Sequence, residues 1–249
     1  MRHPLSIVRL LAALLFASLA AGASPMASRA REVAWVWPGS AVPGGAGWHE
    51  AAVLLESIDL DGERVVRRPR RLGLVAPKGL AVTPVVHVQS GPRGGARFTE
   101  AKRRAVVAAL RGAAEVATAG VVQLDFEAPR RQRDAWRELV AETRAALPTS
   151  VRLSVTALAS WCHGGAWLDG VAADEVVPML YRLGPDSRDW LRRWRDAPDS
   201  LHARCRGPAV GFSAQERPEP AIAGRYIRRY WFNERNWPLS ASTPTAHAP

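Results

Sequence analysis

The feature that most constrains this 249-residue sequence is an apolar stretch, Val121 to Pro129, that carries acidic residues. Because successive side chains of a β-strand point to opposite faces, Gln123, Asp125 and Glu127 would share one face. The apolar residues between them would share the other. Burying an unpaired carboxylate is costly, so acidic residues are rare on a strand this apolar. The pattern therefore predicts a buried strand that delivers its acids to the mouth of a pocket.

Strands and helices are predicted to alternate along most of the chain. Seven other core strands are predicted at 33–37, 53–60, 82–89, 152–158, 176–183, 209–213 and 226–233, with a hairpin partner at 63–68. Helices are predicted to begin after Thr99, after Pro129 and near Asp186. Near-continuous apolar strands alternating with helices are typical of a parallel sheet whose faces are covered. The sequence thus predicts an α/β fold, a single (β/α)8 TIM-type barrel at 30–239.

An open, doubly wound parallel sheet is the alternative fold. It is disfavoured because no glycine fingerprint for a dinucleotide follows the first strand.

Both ends of the chain are predicted to lie outside the barrel. Residues 1–23 have two early arginines, a short apolar run and a small-residue cleavage pattern, which together predict a signal peptide. The run is too short to span a bilayer and no later stretch is apolar enough, so no transmembrane segment is expected after cleavage. A retained N-terminal anchor is the alternative. Residues 240–249, rich in Ser, Thr, Ala and Pro, are predicted to form a disordered tail.

Export shapes the expectations for charge and for the cysteines. Signal cleavage removes two arginines and no acidic residue, so the formal charge falls from +11 to +9. The arginines are scattered and form no nucleic-acid motif, so no nucleic-acid partner is expected and such binding ranks as a distant third hypothesis. A periplasmic or secreted bacterial location favours a disulfide between Cys162 and Cys205, with two buried thiols as the alternative.

No metal or cofactor is expected, because two cysteines alone make no zinc site and no histidine pair has ligand spacing.

The carboxyl ends of barrel strands meet at one mouth, which is where barrel active sites lie. The residues predicted to meet there are His87, Gln89, Asp125, Glu127, Trp161, Met179, Tyr181, Trp231, Asn233 and Glu234. Asp125 and Glu127 are close enough that one of their pKa values should rise toward that of a general acid. Glycoside cleavage uses such a pair. In the structural alternative, Asp125 pairs with an arginine such as Arg182 and Glu127 begins the loop to the next helix.

The roles of three further sets of residues are ambiguous from the sequence. Trp161 and Trp231 are equally well explained as stacking platforms for sugar rings or as core residues, whereas the tryptophans at helical spacing are expected in the core. His87 fits a hydrogen-bonded buried histidine better than a catalytic one. Ser154 and Thr156 are predicted to fill the barrel interior.

Two short motifs resemble those of the chitinase-like family-eighteen glycoside hydrolases, which are (β/α)8 barrels. They are the Asp125-x-Glu127 pair and the Met179-Leu180-Tyr181 run. The resemblance implies that Glu127 is the general acid and that Asp125 orients the acetamido group of the substrate as an internal nucleophile. It also implies that Tyr181 supports the intermediate.

This sequence departs from the family pattern at two positions. The earlier aspartate of the family motif is Gln123 here, and the residue after the tyrosine, usually acidic or Asn, is Arg182.

A broader resemblance is to an uncharacterised group of exported bacterial proteins, classed as a domain of unknown function. VVQLDFEAPRRQRDAW, LSVTALASWC and VPMLYRLG are similar to its signature stretches and span most of Gly120 to Gly184. The group has no assigned function, but the resemblance implies a sugar-hydrolase-like barrel.

The leading hypothesis is an exported glycosidase that acts on a polysaccharide or envelope glycan, with Glu127, Asp125 and Tyr181 as catalytic residues. The residues predicted to bind substrate are Gln123, His87, Trp161, Met179, Arg182, Trp231 and Glu234. The alternative is a non-catalytic barrel that binds a glycan or an envelope partner. The oligomeric state stays open.

Overall fold

Eight parallel strands of the computed structural model close into a ring. The structure describes residues 30–91, 98–164, 166–216 and 218–244, so the predicted signal peptide lies outside the described residues. The strands are β1 Arg31–Val36, β2 Glu50–Asp61, β3 Arg64–Pro69, β4 Ala81–Ser90, β5 Val121–Asp125, β6 Arg152–Leu158, β7 Glu175–Met179, β8 Ala209–Ser213 and β9 Arg228–Phe232.

Strand β1 closes the ring, because it pairs in parallel with β2 on one side and with β9 on the other. Val33, for example, lies opposite Glu50 of β2 and Tyr230 of β9. Strand β3 lies outside the ring as the antiparallel hairpin partner of β2. A closed ring has no edge strands, so the prediction of a TIM-type barrel is confirmed and the open sheet is excluded.

The helical layer is less complete than the predicted (β/α)8 pattern. In the described part of the chain the helices are α1 Glu100–Ala114, α2 Arg133–Ala146, α3 Ser187–Asp196 and α4 Pro220–Ala223, which follow β4, β5, β7 and β8. Short 3-10 turns occur at Arg130–Gln132, Ala159–Cys162, Pro198–Ser200 and Ala203–Arg206. The predicted N-cap Thr99 accepts a hydrogen bond from the Lys102 amide at 3.4 Å.

Alternation along the strands produces two apolar cores. On β1, Val33 and Trp35 face the barrel interior, whereas Ala34 and Val36 join the layer outside the barrel. The outer layer packs the barrel against its helices. Because β5 alternates in the same way, Gln123 and Asp125 reach the interior, whereas Val122 and Leu124 reach the outer core.

Buried charges close the end of the barrel opposite the strand C-termini. Arg228 Nη1 lies 3.0 Å from Glu175 Oε2, and the same guanidinium contacts Glu50. Tyr230 donates from its hydroxyl to Glu175 Oε1 at 2.8 Å. Glu50, Glu175 and Arg228 each begin a strand, which places the ion network at the N-terminal end. Sequence reasoning did not single out these residues.

The cysteine prediction is confirmed. Cys162 and Cys205 form a disulfide with a Cα–Cα distance of 5.8 Å. The bond joins the 3-10 turn Ala159–Cys162 to the turn Ala203–Arg206.

The start of the predicted tail contacts the barrel domain. The carbonyl of Ala241 accepts from the Trp48 indole at 2.8 Å, and the amide of Thr243 donates to the carbonyl of Ala46 at 3.1 Å. A Ser- and Pro-rich composition gives no sign of these contacts. Residues 245–249 lie outside the described residues. Within the described ranges, no helix has the length and apolar character needed to cross a membrane.

Candidate active site

A cavity of about 550 Å³ opens where the strands end at their C-termini. Its size falls within the range of about 300–1,000 Å³ that is common for small-molecule sites. Strand residues His87, Asp125, Met179 and Phe232 line it, and side chains from the following loops complete the wall. The cavity thus lies at the mouth predicted from the fold.

Strand β5 presents its polar residues at two depths. Gln123 is fully buried in the barrel interior, where its Oε1 accepts from the Trp35 indole at 3.1 Å. Its Nε2 donates to Ser154 Oγ, also at 3.1 Å. Asp125 and Glu127 line the cavity above it. Asp125 and Glu127 thus line the same cavity, whereas Gln123 lies beneath it.

Asp125 is held by hydrogen bonds at both carboxylate oxygens. The Nδ1 atom of His87 lies 2.8 Å from Oδ2, and the hydroxyl of Thr156 donates to Oδ1 at 2.7 Å. The alternative pairing with Arg182 does not occur. Thr156, predicted as interior filler on the strand after β5, is one of the two donors, and its hydrogen bond to Asp125 is what sequence reasoning missed.

His87 is the histidine of the site. Burial by itself would lower its pKa, but the hydrogen bond to Asp125 and the charges of Asp125, Glu127 and Asp59 raise the pKa above its ordinary value. The raised pKa favours the imidazolium form, which in its protonated state would pair with Asp125 at the pocket wall.

Glu127 lies just beyond the end of β5 and retains an exposed surface in the open mouth. Within the described residues its carboxyl group forms no hydrogen bond or ion pair. Surrounding protein atoms desolvate the group and Asp125 repels its charge, which together raise the pKa of Glu127. The charges of His87 and Arg182 act in the opposite direction but do not cancel this effect. Such a carboxyl group is suited to donate a proton.

Tyr181 lies on the loop after β7, which ends at Met179 and not at residue 183 as predicted. The chain turns away there, and Arg182 adopts a φ of 50°, which is uncommon for a residue with a side chain. The Tyr181 hydroxyl donates to Met179 Sδ at 3.3 Å. Burial, then the charges of Asp125 and Glu127, raises its pKa, so the phenol keeps its proton.

Arg182 and Glu234 form a rim on one side of the pocket. Arg182 Nε donates to Glu234 Oε1 at 2.8 Å, and the Arg182 amide donates to Glu216 Oε1 at 3.0 Å. Both side chains of the pair line the cavity and remain solvent-exposed. The structure therefore brings Arg182 and Glu234 together, and Arg182 forms no ion pair with Glu127.

Trp161 and Trp231 do not line the pocket and both are buried, in keeping with the core alternative left open by the sequence. Trp161 is buried and stacks on Trp167 with ring centroids 3.9 Å apart. Trp231 donates from its indole to Glu32 Oε2 at 2.7 Å and packs in the outer layer. Trp231 lies in the outer layer because side chains alternate along β9 and its neighbour Phe232 faces the interior.

Two other tryptophans line the pocket. Trp37 follows β1, and its indole donates to the carbonyl of Asn233 at 2.7 Å. Trp190, expected in the core because of its helical spacing, lies in the first turn of α3 at the cavity wall. Trp37 could have been found from its position two residues after Trp35, on the interior face of the first strand.

The cavity therefore collects most of the predicted site. His87, Asp125, Glu127, Met179, Tyr181, Arg182 and Glu234 line it, together with Asn233. Among the described residues, no group of three or more His, Cys, Asp and Glu side chains is arranged to hold a metal ion.

No family model and no curated protein sequence matches this chain. The structure is similar to that of a presumed chitinase A from Streptomyces coelicolor, with a TM-score of 0.52 and 11% identity over 82% of this chain and 92% of that one. It also matches the spore cortex-lytic enzyme SleL of Bacillus cereus, with a TM-score of 0.44, 12% identity, and coverage of 74% and 50% respectively. Concanavalin B matches with a TM-score of 0.46 and 12% identity, over 82% of this chain and 93% of that one.

At such identities the shared property is the fold. The predicted likeness to sugar-hydrolase barrels is confirmed at that level.

Proposed function

We propose that this protein is an exported glycoside hydrolase that acts on a polysaccharide or an envelope glycan, with Glu127 as its general acid. The observation that carries the proposal is the contrast between two carboxyl groups in one pocket. Asp125 has donors on both oxygens, whereas Glu127 has no partner within the described residues and has a raised pKa. Carboxyl groups in unlike environments are how glycosidases separate their two roles.

The chemistry follows from these positions. Glu127 transfers its proton to the glycosidic oxygen as the bond from that oxygen to the anomeric carbon breaks. By the family resemblance, the acetamido oxygen of a 2-acetamido sugar bonds to that carbon, and Asp125 accepts the acetamido N–H. Tyr181, which keeps its proton, donates to the developing intermediate. Water then attacks the anomeric carbon, the bond from that carbon to the acetamido oxygen breaks, and the water gives a proton to the Glu127 carboxylate.

The aromatic side chains of the pocket favour a carbohydrate ligand. Trp37, Trp190 and Phe232 border the same cavity as the two carboxyl groups. Aromatic rings offer flat apolar surfaces, and the apolar faces of sugar rings stack on such surfaces. The Arg182–Glu234 pair at the rim supplies polar groups for sugar hydroxyls.

The test compares two variants of the chain that begins at residue 24, on a panel of N-acetylated oligosaccharides and envelope glycan fragments. Glu127→Gln should reduce release of reducing ends by about 10²–10⁴-fold with little change in Tm, since it removes only the donated proton. Glu63→Gln, at the exposed turn between β2 and β3, is the matched control. Unchanged turnover in the first variant would sink the proposal.

One observation favours a second candidate, a barrel that binds glycans without cleaving them. The side chain at the position of the earlier family aspartate, Gln123, is engaged by Trp35 and Ser154 in the interior. On the same panel, binding by the wild-type protein without any release of reducing ends would support this candidate.

A further inference from the structure

We propose that His87 is a positioning residue that fixes Asp125 as one half of a charged pair, in a site where Gln123 replaces the earlier aspartate of the motif. This inference rests on the proposed function for its catalytic consequence. The pair itself is a property of the folded chain and can be tested without a substrate.

The geometry restrains Asp125 from two strands. His87 reaches its Oδ2 from β4 and Thr156 reaches its Oδ1 from β6, at 2.8 and 2.7 Å. Strands β4 and β6 flank β5 on either side. Rotation of the carboxylate would break both hydrogen bonds, so its orientation toward the pocket is set before any substrate arrives.

Gln123 is neutral, so His87 is the group that can form a charged pair with Asp125. As a neutral amide held by Trp35 and Ser154, it can neither exchange a proton with Asp125 nor move toward it without breaking two buried hydrogen bonds. Among the described residues, His87 is the cationic group that contacts Asp125.

The surroundings of His87 favour its charged form. Asp125, Glu127 and Asp59 all act on it with negative charge. The ring borders the cavity and packs edge-on to Trp37, with centroids 6.5 Å apart. No hydrogen bond to its Nε2 occurs within the described residues.

The charge of His87 also acts on the proposed acid. It lowers the pKa of Glu127, in opposition to burial and to Asp125, and Arg182 acts in the same direction as His87. Tyr181, the remaining titratable group at the wall, keeps its proton. Loss of the imidazolium should therefore raise the pKa of Glu127 and move the alkaline limb of activity to higher pH.

Two variants separate the hydrogen bond from the charge. His87→Asn can still donate to Asp125 but is neutral, whereas His87→Ala removes both. His87→Ala should lower kcat by about 10²-fold, the loss that misplacing a reacting group can cause. His87→Asn should recover part of that loss. Both should move the alkaline limb to higher pH, and added imidazole should restore activity to His87→Ala alone.

A substrate-free measurement keeps this inference distinct from the proposed function. Histidine NMR titration should give His87 a pKa above that of an unperturbed histidine in the wild-type protein, and a lower value in Asp125→Asn. If the wild-type protein cleaves no glycan, the proposed function and the effect of His87 on catalysis are overturned. The NMR titration still tests whether His87 and Asp125 form the charged pair. An ordinary His87 titration, or an alkaline limb unmoved in both His87 variants, would overturn the inference.

Discussion

Two carboxyl groups that are two residues apart in sequence can have different chemical roles, because the groups that surround them differ. Asp125 lies between donors on β4 and β6, and its oxygens are hydrogen-bonded. Glu127 lies beyond the end of the strand, where desolvation and repulsion by Asp125 raise its pKa. The spacing predicted that one acid would hold its proton. The family resemblance implied Glu127, whereas the hydrogen bonds from His87 and Thr156 to Asp125 were not predicted from the sequence.

At this scale, Asp125→Asn should shift the pH dependence in the direction opposite to the His87 variants. The negative charge of Asp125 raises the pKa of Glu127, so its removal lowers that pKa. The alkaline limb of kcat/KM should then fall to lower pH, and kcat should also decrease. The measurement is a pH–rate profile from about pH 4 to 9, which covers the range in which carboxyl and imidazole groups titrate.

Thr156→Val is the matched control, because it removes a neutral donor from Asp125 and leaves the charges in place. Its alkaline limb should stay where the wild-type limb lies. An Asp125→Asn profile that moves upward, or does not move, contradicts the electrostatic explanation of Glu127.

At the scale of elements, the strand pattern predicted the barrel because buried parallel strands are apolar enough to be recognised one by one. The ends of the strands were harder to predict. Strand β7 stops at Met179, and Trp161 lies on a 3-10 turn where alternation no longer applies. Trp231 does lie on a strand, but its parity places it outside the barrel. Side-chain direction at the mouth thus depends on register and turns that local sequence does not define.

The disulfide carries an element-scale prediction. It closes a segment of 43 residues between two 3-10 turns. In the chain-entropy model, removing it with Cys162→Ser and Cys205→Ser should cost about 4 kcal/mol of unfolding free energy. Because Ala159 and Ser160 of the first turn line the pocket, glycan binding should weaken as well.

Urea denaturation of this double variant, beside wild-type protein with and without reductant, measures the effect. The reduced wild-type protein should match the variant. A loss below about 1 kcal/mol would show that the bond does not constrain the unfolded chain as the model requires.

At the scale of the whole molecule, the barrel has two unlike ends. The C-terminal end opens into the pocket, while the N-terminal end is closed by Arg228 between Glu50 and Glu175. The three side chains are nearly inaccessible to solvent. Such a network is costly to disrupt, because each charge depends on its partners once it is buried.

Arg228→Met should therefore destabilise the fold by about 3–5 kcal/mol, since it removes the buried cation from two interior carboxylates and leaves them, within the described residues, only the exposed Arg31 and Arg152 as cations. Arg64→Met, at the exposed start of β3, is the control and should stay near the wild-type value. Chemical denaturation near neutral pH measures both. A cost of Arg228→Met that equals the cost of the control would mean that the network does not stabilise the barrel.

The most direct measurement of the central claim compares two substrates of one sugar in Glu127→Gln. One carries a natural sugar as leaving group, which needs a proton, and the other carries 2,4-dinitrophenolate, which leaves without one. If Glu127 is the general acid, kcat/KM should fall by about 10²–10⁴-fold on the first substrate and far less on the second. An equal loss on both substrates would contradict the role of Glu127 as the proton donor.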